Sequence, residues 1–255
     1  MKIELQGAAP AKSRPFLHLA PMYKYIIMGI QGVGKGTQAK LLCQAYDFVH
    51  ISIGDQFRWH IANHTKLAAK VNRVISKGQM VDDDMVAKVV SERLKWHDWN
   101  YGFVLDGFPR SFAQTEFLFE NYNINGVIHL DAPDSLVTER MMGRRVCSNC
   151  GLDYNLIGSR PKVDGICDVC GGTLVKRSDD HEDAIKKRID DYHEKTEPML
   201  RFFRRLGVLY TVDATKSVTE VHESIRDALF LPKEPRPLNS LTLHSEREHG
   251  KGLSS

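Results

Sequence analysis

One short segment constrains the fold of this chain more than any other. Gly29-Ile-Gln-Gly-Val-Gly-Lys-Gly-Thr37 follows an apolar run, Tyr23-Lys-Tyr-Ile-Ile-Met28, and opens a helical stretch that extends to about Tyr46. Glycines let backbone N–H groups approach an anion closely, and a helix N-terminus adds partial positive charge. This strand–loop–helix context predicts a phosphate-binding loop in an α/β fold, with Lys35 reaching the terminal phosphates of a nucleotide.

The residue after Lys35 helps to distinguish between classes of nucleotide-binding protein. Gly36 stands where switch GTPases and motor ATPases carry a hydroxyl that binds magnesium, and Thr37 comes one position later. The pattern disfavours those classes. It leaves more of a Mg²⁺ shell to water, phosphate and a carboxylate.

The rest of the chain alternates short apolar runs with amphipathic stretches, which predicts a parallel sheet between two layers of helices. The runs that read as strands are Tyr23–Met28, Phe48–Ile51, Gly102–Asp106, Val127–Asp131 and Val208–Val212. We therefore expect a three-layer α/β/α fold around a five-stranded sheet. A long helix is predicted from Asp180 to Leu206, broken at Pro198. Residues 52–81 and 145–176 do not fit this alternation and read as insertions, where substrate-closing segments are expected.

Composition and the two ends complete the domain picture. The chain has 255 residues and a formal net charge of +3, and no run approaches the roughly 18 apolar residues of a membrane span. Residues 1–21 are predicted to form a flexible extension, with an organellar import signal as the alternative. Residues 232–255 are predicted to form a disordered tail. We expect one ordered domain over 22–231 in a soluble, cytoplasmic protein that does not act at a membrane.

Four cysteines occur in two copies of a Cys-x-x-Cys-Gly motif, Cys147-Ser-Asn-Cys150-Gly and Cys167-Asp-Val-Cys170-Gly. Each copy predicts a tight turn that presents two thiolates, with glycine allowing a positive φ. Because four thiolates fill a tetrahedral shell, the spacing predicts a structural Zn²⁺ site. Disulfides and an iron–sulfur cluster are the alternatives. Cys43 reads as a small buried apolar residue.

Other residues supply the charge that phosphoryl transfer needs. Asp106 ends a predicted buried strand, so its carboxylate emerges at the sheet edge beside the glycine loop, where it can hold Mg²⁺ through water. A turn or helix-capping role is its alternative. Guanidinium forks suit phosphate oxygens better than ammonium groups do. The candidate arginines are Arg58, Arg110, Arg140, Arg144, Arg177 and Arg188.

Several motifs occur together in a fixed order. They are Gly34-Lys-Gly-Thr37, Ser52-Ile-Gly-Asp-Gln-Phe-Arg58, Asp106-Gly-Phe-Pro-Arg-Ser111, Gly143-Arg-Arg145 and Arg177-Ser-Asp-Asp180. With these motifs the chain resembles the nucleoside monophosphate kinases, specifically the long-lid adenylate kinases, over about 23–228. The resemblance implies the P-loop NTPase fold with a monophosphate-binding insertion at about 52–81 and a zinc lid at about 144–181. It also implies the reaction MgATP + AMP ⇌ 2 ADP, in a monomer that binds no nucleic acid.

The resemblance also implies roles for individual residues. The catalytic set it implies is Lys35, Arg110, Arg144, Arg177, Arg188 and Asp106. The implied ATP-binding set is Gly32, Val33, Gly34, Lys35, Gly36, Thr37, Arg140, Arg144, Asp153, Tyr154 and Lys216. The implied AMP-binding set is Ile53, Arg58, Gln79, Met80, Val81, Gly107, Phe108, Pro109, Arg110, Gln114, Arg177 and Arg188. Gln114 is expected to read the adenine edge. Asp179 and Asp180 are expected either to orient the arginines or to cap the helix that follows.

Two positions depart from the family pattern. Gln31 replaces a proline in the glycine loop, which makes the loop less stiff. Ile53 replaces a threonine in the AMP pocket, which removes a hydroxyl contact. A kinase with another donor or acceptor, such as GTP:AMP, therefore stays open. A zinc-ribbon nucleic-acid-binding ATP switch is the alternative from another class. It is disfavoured because 147–170 carries three aspartates and only Tyr154 as an aromatic residue.

Overall fold

The structure is a computed structural model that describes residues 23–99, 101–177 and 179–233. The predictions made for 1–21 and for most of 232–255 therefore lie outside the described residues. The strands are β1 (Lys24–Met28), β2 (Val49–Ser52), β3 (Phe103–Asp106), β4 (Gly126–Asp131), β5 (Arg144–Cys147), β6 (Asp153–Asn155), β7 (Leu174–Val175) and β8 (Leu209–Asp213). The five strands predicted from sequence are all present, with bounds that differ by one residue at most.

The main sheet has the strand order β2-β3-β1-β4-β8, and all its pairs are parallel. The chain leaves the central strand β1 through the glycine loop, then builds β2 and β3 on one side and β4 and β8 on the other. The strand order thus reverses beside β1. Ligands of open parallel sheets bind at such a switch point, outside the carboxyl ends of the strands.

Helices cover both faces of the sheet. They are α1 (Lys35–Tyr46), α2 (Ile53–Ala62), α3 (Ala68–Ser76), α4 (Asp83–Lys95), α5 (Phe112–Asn121), α6 (Asp134–Met142), α7 (Glu182–Asp191), α8 (Pro198–Arg205) and α9 (Val218–Ala228). Local sequence fixes several of their starts. Ser217 and Glu220 form a reciprocal capping box at the start of α9, and the Ser52 hydroxyl accepts from the Asp55 N–H at the start of α2.

The long helix predicted over 180–206 is interrupted before Pro198, in a form the prediction did not include. A π-helix, Tyr192–Thr196, joins α7 to α8, and the Glu197 N–H donates to the Tyr192 carbonyl. Pro198 has no N–H to donate and crowds the preceding turn, so the hydrogen-bond pattern widens there and α8 restarts with Pro198 at its first position.

The core lies on both faces of the sheet. Along β1, Tyr25 and Ile27 pack into one apolar cluster, and Ile26 and Met28 into another on the opposite face. A strand buried on both faces is typical of a parallel sheet between helical layers. This confirms the predicted three-layer α/β/α architecture.

A second, antiparallel sheet lies between α6 and α7, within the segment that did not fit the alternation. Its strand order is β6-β5-β7, and it packs a small cluster of Cys147, Leu152, Tyr154, Cys167 and Leu174. We call residues 144–177 the small-sheet segment. None of the helices in the described residues combines the length and apolarity needed to cross a bilayer.

Candidate active site

The glycine loop joins β1 to α1 in a backbone conformation that residues with a side chain rarely adopt. Gly29 and Gly32 have φ values of 136° and 93°. A Cβ on Gly29 would lie 2.4 Å from the Leu130 carbonyl oxygen, and one on Gly32 would lie 2.5 Å from Met141 Cγ. Substitution at either position is thus strained by both conformation and space. The loop keeps its backbone exposed to whatever occupies the adjoining cleft.

Lys35 extends from the start of α1 back across this loop. Its Nζ donates to the carbonyl oxygens of Gly29 and Ile30, at 2.8 and 3.0 Å. Burial, together with the positive charges of Arg110 and Arg144, lowers the lysine pKa to about 8, although Asp106 opposes this shift. A bound phosphate would supply the missing negative charge. This arrangement fits a phosphate-binding lysine.

Asp106 lies where the sequence predicted, at the carboxyl end of β3 beside the loop. A Cβ on Gly36 would lie 3.6 Å from Asp106 Oδ2, so the absence of a side chain at Gly36 leaves room next to the carboxylate. Burial alone would raise the aspartate pKa, but His50 and Lys35 outweigh it, and the pKa is lowered. An ionised carboxylate facing the glycine loop fits a magnesium site, because Mg²⁺ prefers oxygen ligands.

His50 is a neighbour of Asp106 that the sequence reasoning missed. Its Nε2 lies 3.4 Å from Asp106 Oδ2. The alternation of side chains along the strands could have revealed this contact. Ser52 of β2 pairs with Asp106 of β3, and His50, two residues before Ser52, lies on the same face of the sheet as Ser52.

Carboxylates hold the arginines in place. Asp180, whose side chain is fully buried, accepts two hydrogen bonds from Arg144, at 2.7 and 2.5 Å, and a third from Arg188 at 3.2 Å. Arg188 also pairs with Asp179. Helix α7 is capped by His181 and not by either aspartate. The orienting role expected for the two aspartates therefore agrees with the structure, and the capping alternative does not.

The other arginines have different partners. Arg177 pairs with Asp153 of β6, and its Nε is buried with no hydrogen-bond partner. Arg140 donates from Nη1 to the carbonyl oxygens of Val33 and Ala214, at 3.0 Å each, and so ties the glycine loop to the loop after β8.

Two more arginines point toward the glycine-loop side of the cleft. Arg58 pairs with Asp55 one turn earlier at 2.5 Å, and Arg110 Nε donates to the Gly107 carbonyl at 2.9 Å. Each guanidinium thus contacts a residue three positions earlier in its own segment, Asp55 for Arg58 and Gly107 for Arg110.

Two adjoining pockets collect the predicted site residues. Pocket A lies between α2, α3, α4 and the start of α5, and pocket B lies between the glycine loop, the small-sheet segment and the loop before α9. Pocket A is lined by the predicted AMP residues Ile53, Arg58, Gln79, Met80, Val81, Gly107, Phe108, Pro109, Arg110, Gln114 and Arg188. Pocket B is lined by the predicted ATP residues Gly32, Val33, Gly34, Lys35, Gly36, Thr37, Arg140, Arg144, Asp153, Tyr154 and Lys216.

One predicted AMP residue lies elsewhere. Arg177 lines pocket B and not pocket A, because its pairing with Asp153 holds it against the small-sheet segment. Lys35, Arg58 and Arg110 line both pockets. The pockets therefore meet at three cations, and this junction is where a charged group could pass from one ligand to the other.

The four cysteines converge at one end of the small-sheet segment. Their Sγ atoms all lie within 4.8 Å of one another, with Cys147 to Cys170 at 3.4 Å and Cys150 to Cys167 at 3.6 Å. Disulfide sulfurs would be about 2.05 Å apart. Zn–S bonds of about 2.3 Å in a tetrahedron place sulfurs about 3.8 Å apart. The cluster is therefore compatible with structural zinc.

The backbone around these sulfurs fits a metal as well. Gly151 and Gly171, each directly after a Cys-x-x-Cys pair, have φ values of 68° and 70°, as predicted. A Cβ on Gly172 would lie 2.9 Å from Cys147 Sγ and 3.3 Å from Cys170 Sγ, so the turn leaves space only for sulfur. Although burial opposes it, hydrogen bonds led by that from Tyr154 lower the pKa of Cys167 to about 6. A thiolate of this kind is a ready metal ligand.

Comparison with known proteins agrees with this geometry. The adenylate kinase family model matches residues 27–208, more than half of the chain. An adenylate kinase of Clostridium novyi is 42% identical over 207 residues, which cover 79% of this chain and 96% of the relative. An adenylate kinase of Clostridium tetani is 41% identical over 209 residues (80% and 97%), and that of Carboxydothermus hydrogenoformans is 41% identical over 211 (81% and 99%). The family-model match includes the glycine loop and the four cysteines, and together with these relatives it shows that the chain belongs to the adenylate kinase family.

Proposed function

We propose that this protein catalyses the reversible, magnesium-dependent transfer of the γ-phosphoryl group of ATP to AMP, giving two ADP. The observation that carries the proposal is the junction of pockets A and B at Lys35, Arg58 and Arg110. A hydrolase needs one nucleotide pocket and access for water. Two pockets that meet at cations suit a direct transfer between two phosphorylated ligands.

Pocket B is the donor site in this proposal. The glycine loop and Lys35 bind the β- and γ-phosphates, and Arg140 with the Lys216 loop borders the base. Asp106 would hold Mg²⁺ through water, and the ion would supply charge neutralisation at the phosphate oxygens. No general base is required, because in-line transfer depends mainly on positioning and charge.

Pocket A is the acceptor site. Its base-facing wall is apolar, formed by residues such as Ile53, Met80 and Phe108, and its polar end holds Gln114 and the arginines. Arg58, Arg110 and Arg188 bind the acceptor phosphate and the moving group. Because Asp179 and Asp180 already orient Arg188 and Arg144, little rearrangement is needed as charge develops in the transition state.

The small-sheet segment acts as a lid over pocket B, and residues 52–81 act as the closing segment over pocket A. A structural Zn²⁺ bound by Cys147, Cys150, Cys167 and Cys170 keeps the lid a rigid body, so that its closure excludes water from the phosphates. The thiol cluster requires reduced cysteines, which supports a cytoplasmic location. We propose a monomer that binds neither nucleic acid nor membrane.

An assay of ADP formation from each pairing of nucleoside triphosphate with monophosphate tests the function. We expect fast ADP formation with ATP and AMP, and a loss in kcat of about 100-fold or more in Lys35→Met, because a phosphate-binding charge is removed. Lys95→Met, at an exposed position on α4, is the matched control. Hydrolysis of ATP at the same rate with or without any monophosphate would contradict the proposal. A strong preference for GTP as donor would instead assign the protein to the alternative specificity.

A further inference from the structure

A chain of hydrogen bonds closes the polar end of pocket A. The Gln114 side chain, only 2% exposed, accepts from the Arg110 backbone N–H at its Oε1, at 2.7 Å. Its Nε2 donates to Asp83 Oδ1, also at 2.7 Å. The Ser111 hydroxyl donates to Asp83 Oδ2 at 2.8 Å. The first residue of α4 is thus joined to the start of α5 behind the pocket.

The direction of each bond in this chain is forced. A backbone N–H can only donate, so it must face the amide oxygen of Gln114; an ionised carboxylate can only accept, so it must face the amide nitrogen. The Ser111 hydroxyl accepts from the backbone N–H of Gln114 at 3.2 Å, which leaves its proton for Asp83. Turning the Gln114 amide over would set donor against donor and acceptor against acceptor in a buried place, and each mismatch is costly.

A fixed amide can distinguish two kinds of purine. After these contacts Gln114 retains one N–H and one oxygen lone pair. A 6-aminopurine offers a donor at position 6 and an acceptor at N1, whereas a 6-oxopurine offers the reverse. A freely turning amide would pair with either base. An amide that cannot turn over pairs with only one of them.

We propose that Asp83 is a positioning residue for acceptor specificity. By fixing the orientation of the Gln114 amide, it makes pocket A accept a 6-aminopurine nucleoside monophosphate and reject a 6-oxopurine one. This inference rests on the proposed function, in which pocket A holds the acceptor. The neighbouring acid Asp84, exposed in the same first turn of α4, carries the same charge but takes no part in the bonds described above.

The test compares AMP with IMP, which differ at the 6-position and lack the extra 2-amino group of GMP. We expect the wild type to use AMP with a much higher kcat/KM than IMP. Asp83→Asn offers a donor as well as an acceptor at the same volume, so Gln114 can turn over at lower cost. We expect its AMP-to-IMP ratio of kcat/KM to fall about tenfold, mainly through a gain with IMP. Asp84→Asn should keep the wild-type ratio.

Direct calorimetric binding of AMP and IMP provides a readout independent of turnover. If Asp83 had a merely structural role, Asp83→Asn would weaken the binding of AMP and of IMP equally and leave the ratio of their Kd values unchanged. This result would overturn the proposal. So would equal binding of AMP and IMP by the wild type, which requires no variant to fold. Ser111→Ala should shift the ratio in the same direction by less. Failure of the wild type to phosphorylate AMP would instead contradict the proposed function itself.

Discussion

Removal of zinc from the four-cysteine cluster should disorder the small-sheet segment while the rest of the protein stays folded. Apart from its cysteines, the cluster in this segment buries Leu152, Tyr154 and Leu174. Burial of a large apolar side chain contributes about 1.5–3 kcal/mol, so these three supply at most about 9 kcal/mol. A structural Zn²⁺ contributes about 10–16 kcal/mol, which is more than the apolar cluster it joins. The metal therefore dominates the local stability.

The core should not respond, because its packing is separate. Among the described residues, the two large apolar clusters on the faces of the sheet contain no residue of 144–177. We therefore expect a chelator, or Cys150→Ala, to abolish amide protection across 144–177 and to leave the main melting transition within a few degrees of its original position. The value of kcat should fall by about tenfold or more, because pocket B loses Arg144, Asp153 and Arg177 as fixed walls.

Hydrogen exchange followed by mass spectrometry resolves the two regions in one experiment. Cys43→Ala, a cysteine of α1 outside the cluster, is the matched control and should keep both zinc and lid protection. Metal analysis of the purified protein should give about one zinc per chain. Full activity and unchanged protection in a zinc-free protein would refute the reasoning that the metal holds the lid together.

Two further predictions concern ion pairs. Asp153→Asn leaves the buried Arg177 guanidinium without its charged partner, so the melting temperature of the ligand-free protein should fall. Saturation with ATP should raise the melting temperature of this variant by more than that of the wild type, because phosphate then supplies the missing negative charge. An equal or smaller rise would contradict this. The hydrogen bond to Glu197, and to a lesser extent that to Asp134, raises the pKa of His193, although burial opposes this shift. Protonated His193 therefore stabilises the folded protein fully at low pH, and this contribution is lost as the pH rises through the raised pKa. His193→Gln should therefore lower the free energy of unfolding more at about pH 5.5 than at about pH 8.5. The difference should not exceed about 1 kcal/mol, because His193 and its two acidic partners are exposed. An equal loss at both pH values, measured by denaturant titration, would contradict this prediction.

Local sequence was sufficient for the features whose chemistry lies within one short segment. The glycine loop, the end of β3 at Asp106 and both Cys-x-x-Cys-Gly turns were predicted because spacing along the chain alone determines their geometry. The five strands were equally accessible, since a parallel sheet buried on both faces leaves continuous apolar runs in the sequence.

Pairings across the fold were not accessible in this way. Gln114 meets Asp83 from 31 residues away, and Arg177 meets Asp153 from 24. The family resemblance implied ligand-binding roles for Gln114, Arg177 and Asp153, but it carries no signal for which carboxylate faces which donor. Arg140 lines pocket B as expected, but the contacts of its Nη1 with the carbonyl oxygens of Val33 and Ala214 were equally inaccessible. Such contacts depend on how α4, α5 and the small sheet pack.

These pairings explain how so many cations can share one cleft. Arg144 and Arg188 would repel each other if each faced only the other, and burial disfavours the charged form of Arg144 and of Arg110, which lowers the pKa of both. Asp180 lies between the two guanidinium groups and binds both, so one buried carboxylate fixes two forks. The positive charge that remains is concentrated at Lys35 and Arg110, where the pockets meet. A phosphoryl group in transit is therefore the ligand best matched to the charge that the folded protein leaves uncompensated.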